Sequence, residues 1–296
     1  MDPVTQLRIC LWGEIKTAKS TFALTFPKPL VVFDLDQSFD RAMPRYMAQN
    51  PATRLRRLYQ QNGQMTDANL VGADIIAKTY HPPVKWGKRP LGFVDFWNHL
   101  VQDIILTYET DHIKSLAFDT GTVLWSVRTD AHLERAQSSN PGRINLIQIE
   151  YAEPNADMRA CYGGARAYGK NLVSIHHVGG KYESKLTDKG QEKKMRIAQG
   201  LLPADGQTEL NSRDYEDVRI GDTWAGFNGV GRIVDLIARS GKVQLSTSNI
   251  QPTLEILDCG WTLTAEGITV PNPTFENVLV LINTLREADN GQITAT

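Results

Sequence analysis

Lys19 and Ser20 close the stretch Gly-Glu-Ile-Lys-Thr-Ala-Lys-Ser, residues 13–20. The spacing is that of a phosphate-binding loop, G-x-x-x-x-G-K-[ST], with Ala18 where the pattern has glycine. Such a loop turns backbone N–H groups inward to make an anion nest, helped by the start of the next helix. Gly13, Glu14, Ile15, Lys16, Thr17, Ala18, Lys19, Ser20 and Thr21 are therefore the candidate phosphate-binding residues. Lys19 would reach the β- and γ-phosphates of ATP, and the Ser20 hydroxyl would bind Mg²⁺. Lys16 either adds charge over the phosphates or faces solvent. Ala18 carries a Cβ that disfavours positive φ, so the loop is expected to tolerate it only with an ordinary negative φ there.

Three further strand ends offer chemistry. "VVFDLDQ" ends in Asp34 and Asp36, which the period of two places on one face. Buried carboxylates need a partner, supplied by a metal, a water or Lys19, unless they cap the following turn. "SLAFDT" puts Asp119 where a carboxylate would hold the Mg²⁺ shell through water. "VSIHH" ends in His176 and His177, whose side chains point to opposite faces of a strand. One of them is free to sense a γ-phosphate while the other packs.

These residues need elements to position them. "LRICLW" (7–12), "PLVVFDLD" (29–36), "KSLAFDT" (114–120) and "NLVSIHH" (171–177) are apolar runs that read as buried strands. Helical spacing follows in "STFALTF", in part of "SFDRAMPRYMAQN" with Pro44 interrupting it, and in 93–109. "VLWSVRTDAHLERAQ", "AEPNADMRACYGGARAYG" and "TFENVLVLINTLREA" complete the helical readings. The alternation predicts an α/β fold, a mostly parallel sheet flanked by helices. "GRIVDLIARSGKVQLSTS" reads as two antiparallel strands around Ser240-Gly241. A single domain over 1–296 is expected, with a core at about 7–178, a basic loop or hairpin at 179–200, and a C-terminal sheet extension and helix at 215–288.

Composition bounds the partners. The 296 residues have a net charge of −1, 41% hydrophobic and 22% charged residues. Global attraction to nucleic acid is excluded, so polyanion binding must come from local patches. Three widely spaced cysteines give neither a disulfide framework nor a zinc pattern, and a cytoplasmic location is expected. The N-terminus lacks the pattern of a signal peptide, and no apolar stretch is long enough to span a membrane.

The order of loop, D-x-acid strand, Asp119 strand and polar strand-end pair resembles the RecA-like P-loop ATPase core. Within that superfamily the chain is similar to compact phage-encoded RecA-like ATPases of the single-strand-annealing recombination type, over about residues 7–285. The resemblance implies Asp36 as general base, with Asp in place of Glu, and His177 as the link from the γ-phosphate to a DNA-binding loop. It implies single-stranded DNA as a partner, contacted from 137–148 through Arg143 and from 179–196. That second segment carries Lys181, Lys185, Lys189, Lys193, Lys194 and Arg196, for a net charge of about +3. It also implies a homo-oligomer, ring or filament, with nucleotide between subunits and Lys181 and Lys185 as candidate trans residues. A phage annealing or single-strand-binding protein and a bacterial host cytoplasm complete that expectation. Two other functions fit the same motifs: a nucleotide-binding scaffold with little hydrolysis, and a P-loop helicase or motor in phage replication or packaging. The basic stretches "RLRRLYQ" (54–60) and "KWGKRP" (85–90) read as exposed strand or loop.

Overall fold

The computed structural model describes all residues except 1, 86, 88, 199–214, 247–248 and 294–296. In chain order the elements are β1 (Arg8–Gly13), α1 (Lys19–Ala23), β2 (Leu30–Asp34), α2 (Phe39–Gln49), β3 (Leu55–Tyr59), α3 (Asp67–Leu70), β4 (Ile75–Thr79), α4 (Phe93–Glu109), β5 (Ser115–Asp119), α5 (Gly121–Ser139), α6 (Ala152–Ala167) and β6 (Asn171–His176). They continue with β7 (Val178–Leu186), α7 (Asp188–Ala198), β8 (Tyr215–Trp224), β9 (Leu236–Ser246), β10 (Asn249–Cys259), β11 (Thr269–Pro271) and α8 (Phe275–Ile293). The chain forms two compact units, one of residues 1–177 and 225–296 and the other of residues 178–224.

The larger unit is built on a nine-stranded sheet in the order β11-β10-β9-β1-β6-β5-β2-β4-β3. β9 to β3 run parallel, and β10 and β11 add antiparallel strands at one edge. Every residue of β1, β2, β5 and β6 is buried, because helices cover both faces and neither face can be polar. On one face Ile9, Leu11, Val32, Ala117 and Val173 join Phe22, Phe39, Met43 and the α8 residues Phe275, Val278 and Ile282 in a single core. On the other, Phe33 and Phe118 pack together, and Phe118 meets Tyr162 of α6 edge-on. The register then fixes the site: Trp12 lies opposite His176, and Asp34 opposite Asp119. β2 to β6 lie on one side of β1 and β9 to β11 on the other, so the strand order divides at β1, and the carboxyl ends of β1, β6, β5 and β2 frame a crevice where such sheets bind ligands.

Three local expectations are corrected. α2 runs unbroken from Phe39 to Gln49 through Pro44. The proline removes one N–H from the helix, yet the buried Phe39 and Met43 before it and Met47 after it, packed against the core, hold the chain in place. Ser240-Gly241 is not a turn but the middle of β9, which pairs with β10 over its length. A Cβ at Gly241 would approach Thr253 Oγ1 to 2.9 Å, so the glycine marks a close strand contact. The basic segment after residue 177 is not a self-contained hairpin either. β7 pairs antiparallel with β8, and α7 lies between them in sequence. Residues 199–200 of that segment, and Trp86 and Lys88 of "KWGKRP", lie outside the described residues. Cys10, Cys161 and Cys259 are buried free thiols. Among the described residues, no helix is long and apolar enough to cross a membrane.

Candidate nucleotide-binding site

The loop leaves β1 at Gly13, where φ is +151° and a Cβ would sit 2.3 Å from the Ser240 carbonyl oxygen. No other residue fits between β1 and β9 there. Ser240 Oγ donates to the Thr17 carbonyl at 2.5 Å, and Thr17 Oγ1 to that of Glu14 at 2.8 Å, so the loop is tied to β9 and to itself. Ile15 stands at its exposed tip. Lys16 and Ala18 both adopt positive φ, +63° and +65°. The expectation of a negative φ at Ala18 is therefore wrong. The pinned Thr17 carbonyl precedes it, and its own carbonyl accepts the Phe22 amide at 2.9 Å to start α1. These bonds hold a conformation that costs a non-glycine residue about 1–2 kcal/mol.

Lys19, Ser20 and Thr21 form the first turn of α1. Lys19 Nζ donates to the Gly13 and Glu14 carbonyls, both at 2.7 Å, so it lies folded over the loop. Burial lowers its pKa, and Asp119, Glu14 and Asp36 oppose that shift. Ser20 Oγ donates to Asp119 Oδ2 at 2.7 Å, and Ser38 Oγ to the same oxygen at 3.1 Å. The Ser38 amide donates to Asp36 Oδ1 at 3.0 Å, and His177 Nε2 lies 3.4 Å from Asp36 Oδ2. Burial pushes the Asp36 carboxyl up, but the hydrogen bonds from His177 and Ser38 outweigh it and hold it below its ordinary range.

Asp34 and Asp119 are each 1% exposed. Burial, then the charges of Asp119 and Asp36, push Asp34 up to about 7. The Phe39 amide opposes that shift without making a hydrogen bond of ordinary geometry. Burial and then Asp36 push Asp119 up to about 6. His176, fully buried, bonds to Ser174 Oγ at 2.9 Å and to the Ala225 carbonyl at 3.0 Å, and burial lowers it to about 4. It is neutral, with its proton on Nδ1 facing the carbonyl and Nε2 facing the serine hydroxyl. The two histidines thus divide as strand alternation requires, His177 toward Asp36 and His176 into the interior.

The donor set suits Mg²⁺ and a phosphate group. Ser20, Asp119 and Asp36 supply hard oxygens, and Asp119 keeps a buried Oδ1 without a partner among the described residues. The glycine cradle at residue 13 and the folded-back lysine are what a phosphate loop needs.

Ser38 escaped the sequence reading, although it stands two residues after Asp36, where an Asx turn puts a hydroxyl near the carboxylate. Thr122 also escaped it: its Oγ1 accepts the His177 amide at 3.0 Å and donates to the Ala225 carbonyl at 2.9 Å. Arg143 is not brought to this site. It bonds within its own loop, to Glu150 Oε2 at 2.6 Å and to the Asn145 carbonyl at 3.2 Å. Lys181 and Lys185 lie on β7 and Lys193 and Lys194 on α7, all in the smaller unit.

No family model matches the chain, and no curated protein matches it. Among solved structures it is similar to a KaiC-like protein of the hyperthermophilic archaeon Pyrococcus horikoshii OT3. The TM-score is 0.39 and the identity 9%, over 90% of this chain and 84% of that one. It is also similar to an ATPase from the type III secretion system of pathogenic bacteria. There the TM-score is 0.35 and the identity 12%, over 79% of this chain and 51% of that one. Both likenesses are distant and carry no argument about this chain.

Proposed function

We propose that the chain is a RecA-like P-loop ATPase that binds ATP with Mg²⁺ at residues 13–21 and acts on single-stranded DNA in phage or prophage recombination. The observation that carries the nucleotide reading is the 2.7 Å bond from Ser20 Oγ to Asp119 Oδ2, made beside a lysine folded over a glycine-started loop. In this reading Lys19 leaves the Gly13 and Glu14 carbonyls to meet the terminal phosphates. Ser20 and Asp119 hold the metal, Asp119 partly through water. Bound Mg²⁺ neutralises charge on the transferring phosphoryl group. Asp36 faces the same crevice and orients the attacking water, with His177 fixing its carboxylate.

The DNA reading rests on the resemblance and on the distribution of charge in the smaller unit. Its bases gather on β7 and α7, whereas β8 carries Glu216, Asp217 and Asp222. Assembly into a ring or filament, Lys181 and Lys185 acting in trans, and a phage annealing or single-strand-binding partner belong to the same reading.

A second reading, a nucleotide-binding scaffold with little turnover, is favoured by one observation. Asp36 is held by the Ser38 amide and His177, and a carboxylate kept below its ordinary range is a weak proton acceptor for the attacking water.

ATP affinity and turnover, with and without single-stranded DNA, test both. Lys19→Ala is expected to abolish ATP binding, and retained micromolar affinity would remove the loop from its role. Asp36→Asn is expected to bind ATP and lose turnover, and equal turnover would remove Asp36 from catalysis. DNA stimulation supports the recombination reading, and tight binding without turnover supports the scaffold.

A further inference from the structure

We propose that Asp34, Asp36 and Asp119 form a divalent-cation site that fills without nucleotide, with Asp34 as the ligand that a nucleotide-bound metal does not require. The inference shares Asp119 with the ATP reading but stands without it.

Oxygens of the three carboxylates all lie within 4.8 Å of one another. Two of the side chains, Asp34 and Asp119, are 1% exposed and stand opposite each other on neighbouring strands. Facing like charges on paired strands is unfavourable even at a surface, and costs more in a buried setting. The protein's own hydrogen bonds leave the arrangement incomplete. Asp119 Oδ2 takes Ser20 and Ser38, Asp36 takes the Ser38 amide and His177, and Asp34 Oδ2 has Thr79 Oγ1 at 3.4 Å. Asp34 Oδ1 and Asp119 Oδ1 are buried and unpartnered among the described residues. Native structures rarely bury such oxygens without a ligand or an ordered water. The nearby ammonium does not meet the need, since Lys19 Nζ is bonded to the Gly13 and Glu14 carbonyls.

The chemistry selects the ligand. Three carboxylates with hydroxyls around them are a hard, all-oxygen set, which suits Mg²⁺, Mn²⁺ or Ca²⁺ and not a thiophilic metal. Three negative charges exceed what a metal already held by phosphates needs, because such sites use one or two carboxylates. Asp34 is the surplus. With its neighbours it completes a site made by protein alone, at the end of β2 beside the loop.

The test uses Mn²⁺ alone with the full chain, free of nucleotide, following loss of the aqueous Mn²⁺ signal by electron paramagnetic resonance. The wild type is expected to bind one equivalent. Asp34→Asn, which keeps the shape, is expected to weaken that binding about tenfold or more. Asp36→Asn, at a less buried position, is the second variant and is expected to weaken it as well. Lys19→Ala is expected to retain or tighten Mn²⁺ binding, because it removes a competing positive charge. Absence of Mn²⁺ binding by the wild type, or binding unchanged in Asp34→Asn, overturns the site. A chain that binds ATP but not Mn²⁺ alone refutes this inference and leaves the ATP reading standing. Mn²⁺ binding without ATP affinity does the reverse.

Discussion

Ala18 is the residue at which the loop departs from the usual pattern, and its cost is conformational. Its φ of +65° is open to glycine without penalty, whereas an L side chain there costs about 1–2 kcal/mol. Glycine returns part of that gain by loosening the unfolded chain, by about 0.4–1 kcal/mol. Ala18→Gly is therefore expected to raise the stability of the nucleotide-free protein by up to about 1 kcal/mol, read from chemical denaturation. A clear loss of stability would mean that the alanine methyl makes a contact worth more than the strain. The substitution leaves the Lys19 and Ser20 side chains in place, so any change in turnover would report on loop mobility and not on lost ligands. Lys16 shares the same backbone region at +63°, which puts two strained non-glycine residues in one short loop. Strain of that kind is held by its surroundings, here by Ser240 and Thr17.

At the scale of elements, β6 carries a pH-dependent contribution that belongs to the packing and not to the loop. His176 is neutral in the fold, with its pKa lowered by burial to about 4 from 6.5. Between those values the unfolded chain binds a proton that the folded chain does not. Stability from this residue is thus complete above about 6.5 and is lost as pH falls toward 4, by about 3 kcal/mol in all. A His176→Gln variant is expected to flatten that part of the stability profile, measured by denaturation at steps from pH 7 to pH 4. An unchanged slope would show that other groups carry it. The same strand shows what the sequence makes legible. The four strands around the crevice were readable because burial on both faces leaves continuous apolar runs that end in charged residues. β4 was not, because its apolar run is short and includes Lys78, which is buried against Asp103 at 2.5 Å through a long-range pairing. β10 was hidden by its mixed burial, and the Ser240-Gly241 pair imitated a turn because close strand approach and chain reversal select the same residue. Of the site, Lys19, Ser20, Asp36, Asp119 and His177 could be singled out by type and order. Ser38 and Thr122 could not, since a hydroxyl declares a role only when folding brings a carboxylate or an amide to it.

For the whole molecule, the weakest inference to draw from charge is that the smaller unit binds polyanions as a block. Residues 178–224 carry eight Lys and Arg against nine Asp and Glu, so the unit is not basic overall. Any affinity for single-stranded DNA must come from segregation: β7 and α7 carry six bases against three acids, with Lys181 and Lys194 exposed, while β8 carries three acids against Arg219. Pairing within β7 reduces the free charge further, as Lys185 lies 3.8 Å from Glu183. Segregated charge makes a specific prediction about salt. Each phosphate neutralised on a single strand contributes a slope of roughly −0.7 in log affinity against log salt. A Lys181→Glu, Lys194→Glu double variant is expected to weaken binding to a labelled oligonucleotide at low salt and to make the salt dependence shallower by about 1.4, the value for two contacts. In the Lys194→Glu single variant ATP affinity is expected to stay within about twofold, because Lys194 belongs neither to residues 13–21 nor to the candidate trans lysines and exposed charges act weakly through screened solvent. Fluorescence anisotropy across a salt series, with parallel ATP titrations, reads both quantities. Unchanged oligonucleotide affinity and slope would take β7 and α7 out of DNA binding and leave the nucleotide site as a property of the larger unit alone.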